Sequence, residues 1–341
     1  MNTYQKKNII YSVVLLSLVA IVWLFRQSNE EGAAQNQVTF SGQTMGTVYN
    51  IKYLDDEGRS FKSSIDSLLE VYNQSLNHYL PESEISKFGK EDTFYFDLPY
   101  FYPVLKRSQE ISAITEGAYD PTIAPLVNAW GFGPGGGELP DSLAVDSLLQ
   151  LVDYTTIEFT KDYVSKTKPN VELNFSAIAK GYGVDVIADF LEEQGIENMM
   201  VEIGGEILCK GKNSKGEYWR IGIDDPEQKG DMPAVITLKD QAIATSGNYR
   251  NYYVRDGKKY AHTIDPVTGY PVNHSVLSVS VLAEDCLTAD AFATAFMVMG
   301  LEKSKKILEE NDSLDAFIIY DNEGSIQTFQ TEGMEDNLVV L

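Results

Sequence analysis

The chain has 341 residues, with 50 Asp and Glu against 27 Lys and Arg, a formal net charge of −23 at pH 7. That surplus excludes a duplex-binding protein, which needs a basic face to displace counterions from phosphate, while 2 Cys and 3 His exclude a disulfide scaffold, a thiolate zinc site and a multi-histidine metal centre. A hydrophobic fraction of 43% with 20 Tyr, 15 Phe and 3 Trp is enough for a packed core, and any metal is expected to take hard oxygen ligands, as magnesium or calcium do.

The chain opens with Lys6-Lys7, an apolar run from Ile9 to Phe25 broken only by Ser12 and Ser17, and then Arg26; no acid precedes Glu30. Residues 1–27 read as a signal anchor or a signal peptide. An anchor is expected, because the run reaches the length of roughly 17 residues that a spanning helix needs and no small-x-small cleavage site follows at once. Two lysines before the run and an acidic body after it place the N-terminus inside. The expected location is therefore the inner (plasma) membrane, with a single-pass anchor and the body on the outer, periplasmic or extracytoplasmic face. With Lys6, Lys7 and Arg26 set aside, 24 bases face 50 acids, so the body carries a formal −26. Residues 28–37 form a polar linker, and residues 38–341 show no further linker and no repeat, as one domain would.

Alternating or β-branched runs predict strands at Thr47 to Tyr53, Met199 to Cys209, Tyr218 to Ile223, Ala234 to Leu238, Lys259 to Ile264, Val276 to Leu282, Ala316 to Tyr320 and Ser325 to Gln330. The last two flank Asp321-Asn322-Glu323-Gly324, a hairpin turn. Helical periodicity covers Ser60 to Leu76, Tyr100 to Thr115, Ser176 to Gln194, Thr288 to Met299 and Glu302 to Glu310. Strands outnumber helices and come in adjacent pairs, so the expected class is α+β, mainly antiparallel sheets packed with helices. The tract Gly131 to Gly137 holds no regular structure, and it is no phosphate loop because no GK[ST] follows.

Three segments carry candidate chemistry. In Ser176-Ala177-Ile178-Ala179-Lys180-Gly181-Tyr182-Gly183, Ser176 suits an N-cap and Gly195 a C-terminal stop. Lys180 in the first turn opposes the helix dipole unless an anion lies nearby. Gly181 and Gly183 each cost roughly 1 kcal/mol in a helix interior, which suggests a close approach to the backbone. The segment is either a helix N-terminus that holds phosphate or a weak helix with a surface lysine. The helix from Thr288 to Met299 is apolar all round except Asp290 and Thr294, four residues apart and on one face. A hard cation would satisfy both; alternatively Asp290 favours the helix start and Thr294 back-bonds to its own turn. His262, at the edge of a strand, is either a general base or a satisfied structural residue. Two further motifs read as structural: Asp120 as N-cap with Pro121 at the first helical position, and Ile203-Gly204-Gly205-Glu206 as a bulge.

Taken in order, Met45-Gly46-Thr47, Tyr79 to Ser86, Gly117 to Thr122, Trp130 to Pro134, Ser176 to Tyr182, Val201 to Glu206, Ala244 to Arg250, His262 to Pro266 and Thr288 to Ala291 form a series that resembles the FAD:protein FMN transferases, formerly called thiamine-biosynthesis lipoproteins. The resemblance runs from about Val38 to Gly300. It implies a magnesium-dependent transfer of FMN from FAD to a Thr or Ser hydroxyl of a target flavoprotein, such as a subunit of a membrane redox complex, through a phosphoester bond with release of AMP. It further implies Met45, Tyr79, Ala118, Tyr119, Asp120, Ser176, Lys180 and Ile264 as flavin-dinucleotide contacts, Ala179 (through its carbonyl), Asp290 and Thr294 as magnesium ligands, and His262, Asp290 and Lys180 as the catalytic set. Two rivals remain: an FAD pyrophosphatase that gives FMN and AMP, and a non-catalytic FAD-binding protein. The chain departs from many relatives in having no cysteine before Cys209, so no lipid-modified cysteine can follow the N-terminal run. Cys209 and Cys286 are either a pair or two buried thiols.

Overall fold

A computed structural model describes residues 36–134, 139–223, 234–247, 252–255 and 258–340. Its centre is an eight-stranded antiparallel sheet whose strands are β1 (Asn36–Thr44), β2 (Thr47–Asp55), β3 (Met199–Ile203), β4 (Glu206–Lys210), β5 (Gln241–Gly247), β6 (Val276–Ala283), β7 (Asp315–Asn322) and β8 (Ser325–Gln330). Spatial order follows chain order, so the sheet is a meander. Every neighbouring pair is antiparallel. The α+β expectation is met.

Three of its connections are two-residue hairpins, with Thr44 opposite Thr47, Ile203 opposite Glu206 and Asn322 opposite Ser325. Their central residues, Met45-Gly46, Gly204-Gly205 and Glu323-Gly324, all have positive φ. A pair of positive-φ residues is what a type I′ turn requires to match the twist of the strands. The expectation of a bulge at Ile203 to Glu206 is thereby corrected, and the single strand predicted from Met199 to Cys209 becomes β3 and β4. The expected linker also ends early, because Asn36 and Gln37 already pair with Asp55 and Leu54.

The chain between β2 and β3 carries α1 (Lys62–Leu76), α2 (Glu84–Lys90), α3 (Phe101–Ile114), α4 (Ala124–Ala129), α5 (Ser142–Leu149) and α6 (Ala179–Glu193). Helices α7 (Cys286–Met299) and α8 (Leu301–Glu310) link β6 to β7, and α9 (Glu332–Glu335) follows β8. Alternation along the strands assigns the two faces. Val279 and Val281 of β6 with Ala316 and Ile318 of β7 pack in the core that buries α7. Leu282, Phe317 and Ile319 point the other way, onto a three-stranded sheet that includes Trp219–Ile223 and Ala234–Leu238. Helices α1 and α6 cover β2 and β3 through Ile65, Leu69, Val184, Ile187 and Leu191. Helix α7 is thus buried on nearly every side, as its composition predicts.

Helix α6 stops where expected, with Gly195 at φ 84 and its N–H on the Glu192 carbonyl at 2.9 Å. Its start is corrected: Ile178 is the N-cap residue and makes no side-chain cap bond. Ser176 is exposed in the turn before it. Asp120 does not cap a helix either, since α4 begins at Ala124. The strand expected from Lys259 to Ile264 runs over Lys258–Ala261, and His262 follows it. Cys209 and Cys286 are both buried and free.

The expected single-pass anchor is corrected as well. No helix among the described residues is long and apolar enough to cross a membrane, and the run from Ile9 to Phe25 lies outside those residues. Gly135 to Gly137 and Asn248 to Arg250 lie outside them too.

Candidate active site

The first turn of α6 meets the first turn of α7 at Gly181. A Cβ there would stand 2.2 Å from the Cys286 carbonyl oxygen and 2.8 Å from Asp290 Cβ. Only glycine lets two helix backbones approach so closely. The Gly181 N–H donates to Asp290 Oδ2 at 2.9 Å, and the carboxylate, 3% exposed, is fixed against the start of α6. Gly183 is needed for a related reason: a Cβ would lie 2.8 Å from Met45 Cε. The close approaches inferred from these glycines are therefore made by protein. One amide of the α6 start, that of Gly181, thus already serves Asp290.

Asp290 Oδ1 lies 3.6 Å from Lys180 Nζ, which donates at 2.9 Å to Glu206 Oε1. Burial alone would lower the Lys180 ammonium, but the charges of Asp290 and Glu206 outweigh it and hold the group above its ordinary range. Burial pushes the Glu206 carboxyl up, and Lys180 pulls it partly back. Glu206 Oε2 is buried and has no hydrogen-bond partner. Composition gave no sign of Glu206; only the hairpin, which sets it at the first position of β4, brings it to Lys180.

The resemblance implies three oxygen ligands from α6 and α7. The Ala179 carbonyl accepts from Tyr72 Oη at 2.5 Å and keeps a second lone pair. Thr294 shares a 3.1 Å hydrogen bond with Ser246 Oγ. Asp290 supplies the only charge of the three. One carboxylate, one hydroxyl and one carbonyl make a hard donor set that fits magnesium. Among the described residues no group of three or more His, Cys, Asp and Glu side chains could hold a metal, so a cation here would depend on the neutral oxygens.

The remaining residues form a second zone. Asp120 accepts from the Thr122 N–H at 2.8 Å, the Thr122 hydroxyl at 2.6 Å and the Tyr154 N–H at 3.1 Å, so its carboxylate is used internally. Tyr119, 4% exposed, is hydrogen-bonded to Ser108 at 3.0 Å. With Ala118 also buried, this stretch could meet a ligand chiefly through its backbone. Asn174, which sequence reasoning passed over, joins it to Ser176: its N–H donates to the Pro121 carbonyl at 2.7 Å and its Oδ1 accepts from the Ser176 N–H at 2.8 Å.

Tyr79 is 58% exposed, with the His78 ring against it at 4.2 Å. Its hydroxyl donates to the Phe132 carbonyl at 3.3 Å, and the Phe132 ring stands edge-on to His262 at 6.4 Å. Ile264 is packed with Leu126, Trp130 and Val145. A cavity of about 270 Å³ opens beside this zone, lined by His78, Ser86, Asn128, Pro134 and Asn174. Lys180, Asp290 and Glu206 thus form one cluster, with Ala179 next to Lys180 in α6 and Thr294 one turn beyond Asp290 in α7, and Tyr79, Phe132 and His262 form a separate chain of contacts.

The chain matches the ApbE family over residues 45–318. It belongs to that family. A FAD:protein FMN transferase of Vibrio cholerae is 42% identical over 320 residues, covering 90% of this chain and 94% of the relative. One from Haemophilus influenzae is 38% identical over 305 residues, covering 85% and 88%. The solved flavin transferase ApbE from Vibrio cholerae superposes with a TM-score of 0.82 at 39% identity, covering 89% of this chain and 99% of that one. The flavinyl transferase ApbE of Pseudomonas stutzeri, in its apo form, gives 0.79 at 29% identity, covering 89% and 97%. The ApbE match embraces both zones, from Met45 in the first hairpin to the β7 strand.

Proposed function

We propose that this ApbE-family chain transfers FMN from FAD to a Thr or Ser hydroxyl of a protein acceptor and releases AMP. The observation that supports the reading is the meeting of Lys180 and Asp290 where α6 crosses α7, with Ala179 next to Lys180 in the chain and Thr294 one turn beyond Asp290. The Lys180 ammonium offers charge to a phosphate oxygen. Asp290, Thr294 and the Ala179 carbonyl would hold magnesium, which when bound supplies positive charge across the pyrophosphate. Met45, Tyr79, the backbone from Ala118 to Asp120, Ser176 and Ile264 would seat the dinucleotide, with the exposed Tyr79 ring as the stacking surface. His262 would take the proton from the acceptor hydroxyl as its oxygen attacks the FMN phosphorus and the AMP oxygen leaves. We take residues 38–341 as one catalytic domain.

Incubating the protein with FAD, magnesium and a candidate flavoprotein acceptor, followed by in-gel flavin fluorescence, tests the reading. A labelled acceptor supports transfer. Free FMN and AMP without label would make the chain a pyrophosphatase, and intact FAD would make it a binding protein.

A further inference from the structure

We propose that Glu206 is a positioning residue: it holds the Lys180 ammonium away from Asp290 so that the Asp290 carboxylate stays available to a divalent cation. The inference rests on the cation site proposed above. Lys180 Nζ has two carboxylates to choose between, and it makes its hydrogen bond with Glu206 Oε1 at 2.9 Å while standing 3.6 Å from Asp290 Oδ1. The other oxygen of Asp290 is already held by the Gly181 N–H. Oδ1 is thus the oxygen open to a cation, and it is the one Lys180 faces.

An ammonium and a divalent cation cannot both sit on Oδ1 without strong repulsion in a buried site, where charges interact far more strongly than in water. A carboxylate on the far side of the lysine resolves the conflict. Glu206 draws the ammonium by attraction and offsets part of its charge against an incoming cation. It is well placed to do so: the Gly204-Gly205 turn fixes it at the first position of β4, and it is only 5% exposed. Its Oε2, buried and without a partner, can accept a second of the three ammonium donors when Lys180 moves further from Asp290.

The test reads cation uptake rather than turnover. Free Mn2+ is measured by electron paramagnetic resonance with the full chain, saturating FAD and no acceptor. Glu206→Gln should weaken Mn2+ binding by about tenfold, as couplings between adjacent sites commonly do. Adding Lys180→Met to Glu206→Gln should restore binding toward the wild-type level, because the misplaced ammonium is gone. Glu206→Asp, which keeps the charge on a shorter stem, should give an intermediate loss that Lys180→Met also relieves, and it carries the comparison if Glu206→Gln does not fold. Wild-type affinity in both Glu206 variants would overturn the proposal. So would a double variant as weak as Glu206→Gln, which would mean that Glu206 acts on the cation directly. If the wild-type protein takes up no Mn2+, the cation site and this role fall together; uptake by the wild type with unchanged variants removes only the role of Glu206.

Discussion

The Gly181 N–H donates to Asp290 Oδ2 at 2.9 Å, and this bond ties the first turn of α6 to the second turn of α7. The α7 start is secured from the same side, since Asp185 of α6 accepts from the Cys286 and Leu287 N–H groups at 2.8 Å each. Asp285 adds the N-cap bond to the Thr288 N–H at 2.7 Å. Two helix termini are therefore held in register by carboxylates, and the candidate cation site lies in the seam between them.

Gly181→Ala should break that seam. The new methyl group would fall 2.2 Å from the Cys286 carbonyl oxygen, which is backbone and cannot swing aside. Overpacking of this kind costs about 1–3 kcal/mol. The denaturation midpoint should fall accordingly, and the folded fraction should lose flavin transfer because Asp290 has been displaced. Unchanged stability and activity would mean that the helices have room to part.

Asp290→Asn keeps the shape and can still accept from the Gly181 N–H, but it removes the one charge of the donor set. Magnesium-dependent turnover of FAD should fall by about two orders of magnitude or more, while the circular dichroism spectrum and thermal midpoint stay close to wild type. Full activity in this variant would remove Asp290 from the cation site.

The sheet and the buried helices were legible because they follow simple periodicities: β6 and β7 alternate between two cores, and α7 is apolar all round except Asp290 and Thr294. The hairpin at Gly204-Gly205 was misread because two glycines inside a long β-branched run fit a bulge as well as a turn, and only the pairing of Ile203 with Glu206 separates them. The α6 start was misplaced because Ser176 has the chemistry of an N-cap, while its N–H is instead taken by Asn174 and the helix begins after an extra turn. Glu206 read in the sequence only as the end of the Ile203 to Glu206 motif, since its contact with Lys180 is non-local in sequence. Lys180 and Asp290 were legible from a local conflict: a cation at the positive end of a dipole, and a lone acid in an apolar helix.

His78 gives the protein an acid-sensitive point. Its Nε2 is buried without a hydrogen-bond partner, its ring lies 4.2 Å from that of Tyr79, and burial holds its pKa below the ordinary 6.5. The unfolded chain thus binds a proton more readily than the folded one. The stability contributed by the neutral ring is present above about pH 6.5 and is lost as pH falls toward the lower folded value, by at most about 1.4 kcal/mol per pH unit for one proton. His78→Gln should flatten the decline in the urea midpoint between pH 6.5 and 5 relative to wild type. An equally steep decline in the variant would assign the acid sensitivity elsewhere.

His262 separates chemistry from binding. It follows the strand Lys258–Ala261 and stands edge-on to Phe132, whose carbonyl receives the Tyr79 hydroxyl. In the proposed reading His262 is the base for the acceptor hydroxyl, which FAD binding does not involve. His262→Ala should therefore lower the transfer rate by about 10²–10⁴-fold, the range for a lost general base, with FAD affinity near wild type by fluorescence titration. Hydrolysis of FAD by water at an unchanged rate in His262→Ala would fit a base dedicated to the protein acceptor. Equal losses in rate and FAD affinity would instead make His262 a support for Phe132 and Tyr79, because the damage would then reach the bound dinucleotide before any hydroxyl arrives.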